Sequence, residues 1–320
     1  MNSERIYLGI DIGGTAVKMG MMTETGELLE TASAPVAFDG YETPILTTVK
    51  AEAKRFADRF AQEYPERAAR LAAIGVSATG QIDMDRGIVT GAAGHIQNWV
   101  GARIRDELEE TLHLPVRVAN DANCAALGEY WIGAARGVQD VIVLTVGTGV
   151  GGGVITGGKL LRGARGIAGE LGHIVINGDG EPCSCGNRGC LEHYASTGAL
   201  VRMVREGIEC GEIPAFAGEV NGRTIFEALD RADHTALAAC VNRWIGYLAD
   251  GMVGLIHIFN PSLILIGGGV SAQEELFVRS LRETVMARIM PSYREGLRIE
   301  RAALGNNAGL AGAVCLWVSE

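Results

Sequence analysis

Apolar and polar residues follow one another along this chain in two similar rounds of strands and helices. An apolar run at residues 6–10 enters a glycine turn and continues into a second apolar run, and the same pattern returns at residues 141–146. Between them, apolar residues recur at helical spacing over residues 43–64, which predicts an amphipathic helix. The repetition predicts an α/β fold with two similar halves that face a cleft. Further strands are predicted at 72–77, 116–119, 263–266 and 297–301, and helices at 104–112, 121–131, 235–259, 274–290 and 308–318.

The length of 320 residues agrees with two domains, at roughly 100–200 residues for each. We predict an N-terminal α/β domain over residues 1–119, completed by the final helix within residues 306–320. The second α/β domain is predicted over residues 120–305. It carries a cysteine-rich loop at residues 173–193.

One long uncharged stretch, residues 251–273, raises the question of a membrane span. Asn260 and Pro261 interrupt its middle, and three consecutive glycines lie near its end. A span needs about 20 mostly apolar residues without such breaks. The stretch therefore predicts a buried helix that ends near Phe259, a turn and a buried strand, and no membrane association is expected.

Glycine is enriched and clustered. The chain contains 45 glycines, roughly twice the usual share of about 7%, and 15 of them fall between Gly147 and Gly189. Apolar residues make up 48% of the chain, which excludes a disordered protein. Clustered glycines indicate turns where the backbone approaches a ligand closely.

The charge balance and the cysteines limit the partners and the compartment. The formal net charge is −10 and the calculated isoelectric point is about 5.2, so nucleic acid is not expected as a partner. Seven cysteines, an odd number, and no apolar signal segment after the first residues predict a reducing, cytoplasmic location.

Two glycine turns have the composition of phosphate-binding turns. In the first, Gly13, Gly14 and Thr15 offer backbone N–H groups and a hydroxyl group. Asp11 and Lys18 beside it are suited to a magnesium ion and to phosphate charge. The second turn, residues 147–149, resembles the first and lacks the Gly-Lys-Ser/Thr ending of a Walker A loop. An ordinary hairpin is the alternative for each, but the pair predicts two turns that hold one polyphosphate.

A third glycine turn follows the buried strand at residues 263–266. Gly267, Gly268 and Gly269 leave space for a flat ring against the backbone. A tight turn from strand to helix is the alternative.

Asp121 lies where a strand ends and a helix begins. An aspartate at such a place either caps the helix or acts as a general base on a hydroxyl group. Phosphoryl transfer needs such a group to orient and deprotonate the attacking oxygen. Both roles stay open for Asp121.

Three cysteines and a histidine indicate a structural zinc site. Cys183, Cys185 and Cys190 lie within eight residues, and three thiolates with one imidazole form a common tetrahedral zinc site. His173 and His193 are alternative fourth ligands. Four protein ligands leave no open position for catalysis at the metal.

Two glutamates, Glu170 and Glu192, flank the zinc segment among Gly, Ala and Leu residues. Their carboxylates are candidates to accept hydrogen bonds from sugar hydroxyl groups. Surface salt bridges are the alternative for both.

Together these segments resemble the ROK family of bacterial-type sugar kinases, within the actin/hexokinase-like superfamily. The similarity covers essentially the whole chain. It implies an actin-like ATPase fold, with two RNase-H-like domains around a cleft for nucleotide and sugar. It rests on residues 11–15, 120–123, 147–149, 170–174, 183–192 and Ser196.

The resemblance also implies roles for individual residues. Asp121 would deprotonate the 6-hydroxyl group of a hexose, Asp11 would hold Mg²⁺ with ATP, and His173 would complete the zinc site and also contact the sugar. Contacts to the sugar are implied for Gly80, Gln81, His95, Asn120, Glu170, His173 and Glu192. Contacts to ATP are implied for Gly13, Gly14, Thr15, Lys18, Gly147, Thr148, Gly149, Gly267, Gly268 and Gly269.

The sugar itself is less well specified. Glucokinases of the family usually have Gly-Pro where this chain has Gly80-Gln81, and Pro-Asn-Leu where this chain has residues 94–98. Glucose is the expected substrate, and N-acetylmannosamine or another N-acylhexosamine is the alternative. A sugar sensor without catalysis is a further alternative, against which the intact Asp121 and both phosphate turns argue.

Some family members are repressors with an N-terminal DNA-binding module. About five residues precede the first predicted strand, so no such module is expected. A homodimer is expected from the family.

Overall fold

A computed structural model describes residues 4–91, 96–215, 218–231 and 235–318, and two five-stranded sheets organise them. The first sheet contains, in spatial order, β3 (Leu28–Pro35), β2 (Ala16–Thr23), β1 (Ile6–Ile12), β4 (Leu71–Ala78) and β7 (Val116–Asn120). The second contains β10 (Lys159–Leu160), β9 (Val150–Thr156), β8 (Val141–Val146), β11 (Leu263–Gly267) and β12 (Arg298–Arg301). A separate hairpin consists of β5 (Gln81–Asp83) and β6 (Ile88–Gly91).

The two sheets share their topology. In the first, β1 pairs antiparallel with β2 and parallel with β4, which pairs parallel with β7. In the second, β8 pairs antiparallel with β9 and parallel with β11, which pairs parallel with β12. The predicted α/β class with two similar halves is confirmed. This topology is that of the RNase-H-like domains of the actin-like ATPase fold.

Helices cover the sheets. α1 begins directly after Pro44 and buries the apolar face that the sequence predicts. The predicted helix 274–290 is instead a π-helical turn at Glu274–Arg279 followed by a regular helix. Apolar spacing did not predict the π-helical turn, in which Phe277 and Val278 are buried, as is Leu281 in the regular helix that follows. The helices are α1 (Ile45–Glu63), α2 (Pro65–Ala68), α3 (Ile104–Leu112), α4 (Asp121–Trp131), α5 (Leu191–Ala195), α6 (Thr197–Glu209), α7 (Gly222–Arg231), α8 (Thr235–Phe259), α9 (Ser280–Arg288) and α10 (Ala308–Val318).

The long uncharged stretch has the structure that the sequence predicts. α8 ends at Phe259, Asn260 adopts a left-handed backbone conformation with φ 46°, and the buried strand β11 follows. Among the helices of the described residues, none combines the length and the apolar character that crossing a membrane would require.

The last helix, α10, packs against α4 and against β1 and β4 of the first sheet. Three glycines make this close approach possible. A Cβ atom on Gly312 would overlap the backbone carbonyl oxygen of Cys124, and one on Gly75 would overlap that of Ala313. A Cβ atom on Gly128 would press on the carbonyl oxygen of Ala308. The backbones of α4 and α10 are therefore in direct contact at their crossing.

Replacing Gly312 by alanine is expected to destabilise the protein by about 1–3 kcal/mol, because the two helix backbones must separate. The expected readout is a melting temperature lower by several degrees. Gly254→Ala is the matched control, since Gly254 also lies within a helix and a Cβ atom there meets nothing within 4 Å. Equal melting temperatures for the two variants would contradict the close crossing.

Candidate functional site

The first phosphate turn joins β1 to β2. The Gly13 N–H group donates to the Ala16 carbonyl oxygen over 3.0 Å and closes the turn. From outside, the Val36 N–H group donates to the Thr15 carbonyl oxygen over 2.9 Å. Within the described part of the chain, the N–H groups of Gly14 and Thr15 donate to no protein acceptor. They remain available for an anion.

The second phosphate turn joins β8 to β9 at the same topological position. Gly147 donates its N–H to the Gly149 carbonyl oxygen over 2.9 Å, and the Thr197 N–H donates to the Gly147 carbonyl oxygen over 2.8 Å. Thr148 is exposed at the tip. The structure thus gives both predicted turns the same strand–turn–strand architecture, one from each sheet.

Glu192 supports the second turn from behind. Its Oε2 atom accepts a hydrogen bond from the Val150 N–H group over 3.0 Å, and a Cβ atom on Gly149 would overlap this carboxylate. Among the described residues, neither Glu192 nor Glu170 forms an ion pair. The salt-bridge alternative therefore has no support in the structure, and Glu192 links the zinc segment to the phosphate turn.

The third glycine turn packs against the end of β8, the strand that leads into the second phosphate turn. Gly268 has φ 88°, and a Cβ atom there would overlap the Val146 carbonyl oxygen. Gly267 is buried at the end of β11, whereas a Cβ atom on Gly269 would meet nothing within 4 Å. The open space at Gly269 fits the predicted place for a flat ring.

Asp11 lies near the end of β1, between Ser77 of β4 and Lys18 of β2. The Ser77 hydroxyl group donates to Asp11 Oδ1 over 2.7 Å. Burial raises the pKa of Asp11, while Ser77 and Lys18 lower it. A desolvated carboxylate beside a phosphate turn has the chemistry of a magnesium ligand.

Asn120, rather than Asp121, caps α4. The Asn120 Oδ1 atom accepts hydrogen bonds from the N–H groups of Ala122 over 2.9 Å and Asn123 over 3.2 Å. Of the two roles left open for Asp121, helix capping is therefore the wrong one. The Asn120 amide group donates to the Gly80 carbonyl oxygen and to Asp121 Oδ1, each over 2.9 Å.

Asp121 is the first residue of α4, and one of its oxygens is free. Oδ1 accepts from Asn120 and from the Ala122 N–H group, whereas Oδ2 has no protein partner among the described residues. The pKa of Asp121 is raised to about 6, chiefly by burial and to a smaller extent by the negative charges of Asp11 and Glu170, against the opposing effect of the two hydrogen bonds. A carboxylate with this pKa is suited to accept a proton near neutral pH.

The residues that are predicted to contact the sugar differ in how directly the structure connects them to Asp121. Gly80 adopts φ 95° and is tied to Asn120, and Glu170 is exposed and close enough to Asp121 to affect its pKa. The Gln81 side chain lies against Gly91 of the neighbouring strand β6. His95 lies outside the described residues.

Four side chains converge at the predicted zinc site. One ligand atom from each of His173, Cys183, Cys185 and Cys190 lies within 4.8 Å of all the others. The Cys185 and Cys190 Sγ atoms are 3.6 Å apart, as are Cys183 Sγ and His173 Nδ1. Ligands at about 2.3 Å from a tetrahedral zinc ion lie about 3.8 Å from one another. The donor set and its spacing therefore fit zinc.

The structure brings His173 to the cysteines and leaves His193 outside the cluster. The His193 ring instead packs edge-on against Tyr194, with ring centroids 5.3 Å apart. Because His173 faces Cys183 through Nδ1, its Nε2 atom stays available for another partner. This geometry fits the dual role that the sequence resemblance implies for His173.

Two residues at the phosphate turns have no counterpart in the sequence predictions. Ser77 holds Asp11 through its hydroxyl group, and Tyr41 donates its hydroxyl group to the Gly14 carbonyl oxygen over 2.7 Å. Ser77 ends a predicted strand in register with Asp11, which is a signal that strand pairing could have supplied. Tyr41 lies in a loop and carries no such signal.

Comparison with known proteins gives consistent similarities. The profile of the ROK family matches residues 7–320. A glucokinase of Halalkalibacterium halodurans is 37% identical over 318 residues, covering 97% of this chain and 94% of the relative. The structure of a ROK family glucokinase from Streptomyces griseus, in complex with glucose and AMPPNP, has 33% identity, a TM-score of 0.81 and coverage of 97% and 98%. A proposed N-acetylmannosamine kinase from Listeria monocytogenes has 30% identity, a TM-score of 0.79 and coverage of 98% and 100%.

Proposed function

The chain belongs to the ROK family, and from this premise we propose that it is an ATP-dependent hexose kinase acting on the 6-hydroxyl group of its sugar. One observation carries the proposal. A carboxylate with a raised pKa and a free oxygen, Asp121, lies near Asp11, whose strand β1 enters the first phosphate turn. Such a group beside a polyphosphate site is suited to activate a hydroxyl nucleophile.

In the proposed reaction, Asp121 Oδ2 takes the proton of the 6-hydroxyl group as its oxygen attacks the γ-phosphorus of ATP. The bond from that phosphorus to the oxygen of the leaving ADP breaks. Asn120 orients Asp121 through the hydrogen bond to Oδ1. Both amide hydrogens of Asn120 already have protein acceptors. A direct contact between Asn120 and the sugar therefore has no support from the structure and stays a prediction.

The nucleotide is proposed to bind across the two phosphate turns. The free N–H groups of the first turn and the exposed tip at Thr148 receive the phosphates, and the turn at Gly269 receives the adenosine. Mg²⁺ held at Asp11 would neutralise charge on the transferred group. Closure of the two halves is proposed to exclude water, so that the sugar rather than water accepts the phosphoryl group.

The remaining sugar hydroxyl groups are proposed to contact Glu170, His173 Nε2 and the free oxygen of Glu192. Glucose is the proposed sugar, in agreement with the glucokinase relatives. N-acetylmannosamine is the second candidate. It is favoured by the similarity to the Listeria monocytogenes protein and by Gly80-Gln81 in place of Gly-Pro.

A coupled assay of ADP release across a sugar panel tests the proposal. The panel contains glucose, mannose, fructose, N-acetylmannosamine, N-acetylglucosamine and allose, each with ATP and Mg²⁺. We expect sugar-dependent ADP release with the highest kcat/KM for glucose. A higher kcat/KM for N-acetylmannosamine would select the second candidate, and no ADP release with any sugar would favour a sensor. The Asp121→Asn variant, purified in parallel, controls for contaminating kinases.

The compartment and the oligomeric state are further proposals. None of the seven cysteines forms a disulfide bond in the structure, which supports the proposed reducing compartment. A homodimer is proposed from the family resemblance. Light scattering would then give about twice the chain mass of 33.8 kDa, and a monomeric mass would contradict it.

A further inference from the structure

Four residues other than glycine adopt a left-handed backbone conformation within the described part of the chain. Two of them, His113 and Asn260, follow the ends of α3 and α8, where this conformation is common. The other two, Tyr41 with φ 70° and Asn98 with φ 56°, lie in loops. A bulky residue such as tyrosine rarely adopts this conformation. It persists where surrounding contacts hold it, often at functional sites.

Tyr41 and Asn98 are joined to each other and to the first phosphate turn. The Asn98 amide group donates to the Tyr41 carbonyl oxygen over 3.4 Å, and the Tyr41 hydroxyl group donates to the Gly14 carbonyl oxygen over 2.7 Å. A Cβ atom on Gly14 would lie 3.5 Å from Ile96 Cδ1 and 3.9 Å from the Tyr41 hydroxyl oxygen. The Tyr41 side chain therefore contacts the backbone of the turn itself, and Ile96 of the second loop lies beside Gly14.

The loop that contains Asn98 also reaches the proposed sugar side. Trp99 is fully buried, and its indole N–H group donates to the Thr79 carbonyl oxygen over 2.9 Å. The next residue, Gly80, accepts a hydrogen bond from Asn120. A continuous series of contacts thus runs from the residues beside Asp121 to the first phosphate turn.

We propose that Tyr41 is a positioning residue for the nucleotide. Its hydroxyl group holds the Gly14 carbonyl oxygen, which shares a peptide plane with the Thr15 N–H group, and this orients that free N–H group toward the phosphates. Asn98 holds Tyr41 in its left-handed conformation and connects it to the loop on the sugar side. This inference rests on the proposed function for the identity of the ligands.

The Tyr41→Phe variant tests the proposal, because it removes only the hydroxyl group. One hydrogen bond corresponds to a change of about threefold to tenfold in binding. We expect the dissociation constant of a non-hydrolysable ATP analogue with Mg²⁺, measured by calorimetry, to rise by about that factor. The dissociation constant for glucose without nucleotide and the melting temperature are expected to stay unchanged.

Tyr64→Phe is the matched control. The Tyr64 hydroxyl group also donates one hydrogen bond, to Glu30 over 3.1 Å, outside the proposed site, so nucleotide binding is expected to stay unchanged. An unaltered dissociation constant in Tyr41→Phe would overturn the proposal. Parallel losses in nucleotide affinity, glucose affinity and melting temperature would also overturn it, because they would indicate a general structural role.

The link to Asn98 is tested by Asn98→Gly, which keeps the backbone conformation accessible but removes the amide group. We compare the increases in the nucleotide dissociation constant. If the two residues act together, the increase in the double variant with Tyr41→Phe and Asn98→Gly is smaller than the product of the two single increases. If the two single increases simply multiply in the double variant, Asn98 does not act through Tyr41. The binding measurements do not need turnover. Loss of nucleotide affinity in a chain without kinase activity would support Tyr41 while refuting the proposed reaction.

Discussion

Replacing Asp121 by asparagine is expected to lower kcat by about 10²–10⁴-fold, the usual contribution of general acid–base catalysis. The Oδ1 position can still accept from Asn120 and from the Ala122 N–H group, so the backbone geometry is preserved. At the Oδ2 position the variant has an amide group, which cannot take a proton from the sugar. The helix keeps its cap, since Asn120 provides it.

The measurement is steady-state ADP release with saturating sugar and ATP, together with the sugar dissociation constant. The sugar dissociation constant is expected to change little. Asp106→Asn is a suitable control, because Asp106 also lies in the first turn of a helix, α3, and pairs with Arg103 on the surface. Near-normal kcat in Asp121→Asn would remove Asp121 from the chemical step.

The same assignment predicts how activity depends on pH. The pKa of Asp121 is raised to about 6 by burial and by the charges of Asp11 and Glu170, and only the ionised form acts as a base. Activity is therefore expected to level off above pH of about 6 and to fall about tenfold per pH unit below it. Activity that stays constant down to pH of about 4.5 would contradict this role.

Loss of the metal from the 173–193 loop is the second large effect that we expect. In Cys185→Ser, or after chelation, the sugar KM is expected to rise by about 10–100-fold. Burial contributes little to holding residues 183–188, since they are exposed or half-buried. Without a metal, His173 and Glu192 would lose the geometry proposed for the sugar.

Metal content and sugar KM are the two measurements. We expect about one zinc ion per chain in the unmodified protein and a clear loss in Cys185→Ser. Cys210→Ser is the matched control, because Cys210 is also exposed but lies outside the cluster. Unchanged zinc content in Cys185→Ser would show that this cysteine is not a ligand. Loss of zinc with unchanged sugar KM would separate the metal from sugar binding.

Much of the fold follows from local patterns. Helix α3 and helix α4 have the bounds that the sequence predicts, and the glycine turns at residues 13–14, 147–149 and 267–269 connect the predicted elements. These features depend on residues close in sequence, whose spacing and turn chemistry act within one or two turns of chain. The cysteine spacing belongs to the same class of signal.

Which of two adjacent residues caps α4 needed the structure. Asn120 and Asp121 are adjacent, and both residue types cap helices well. The backbone at the end of β7 places the Asn120 side chain over the first N–H groups of α4. The same packing desolvates Asp121 near Asp11 and Glu170, which lie 110 and 49 positions away along the chain.

The sequence by itself determined the α/β class, the order of the elements, the glycine turns and the cysteine–histidine set. The family resemblance favoured His173 over His193, and the tertiary structure brought His173 to the cysteines, bonded Glu192 to Val150 and brought Tyr41 to Gly14. The physical reason is the separation along the chain between the residues that interact. Periodicity and turn chemistry are short-range properties, whereas these contacts join residues 10 to 42 positions apart, and only the packing of the elements brings such residues together.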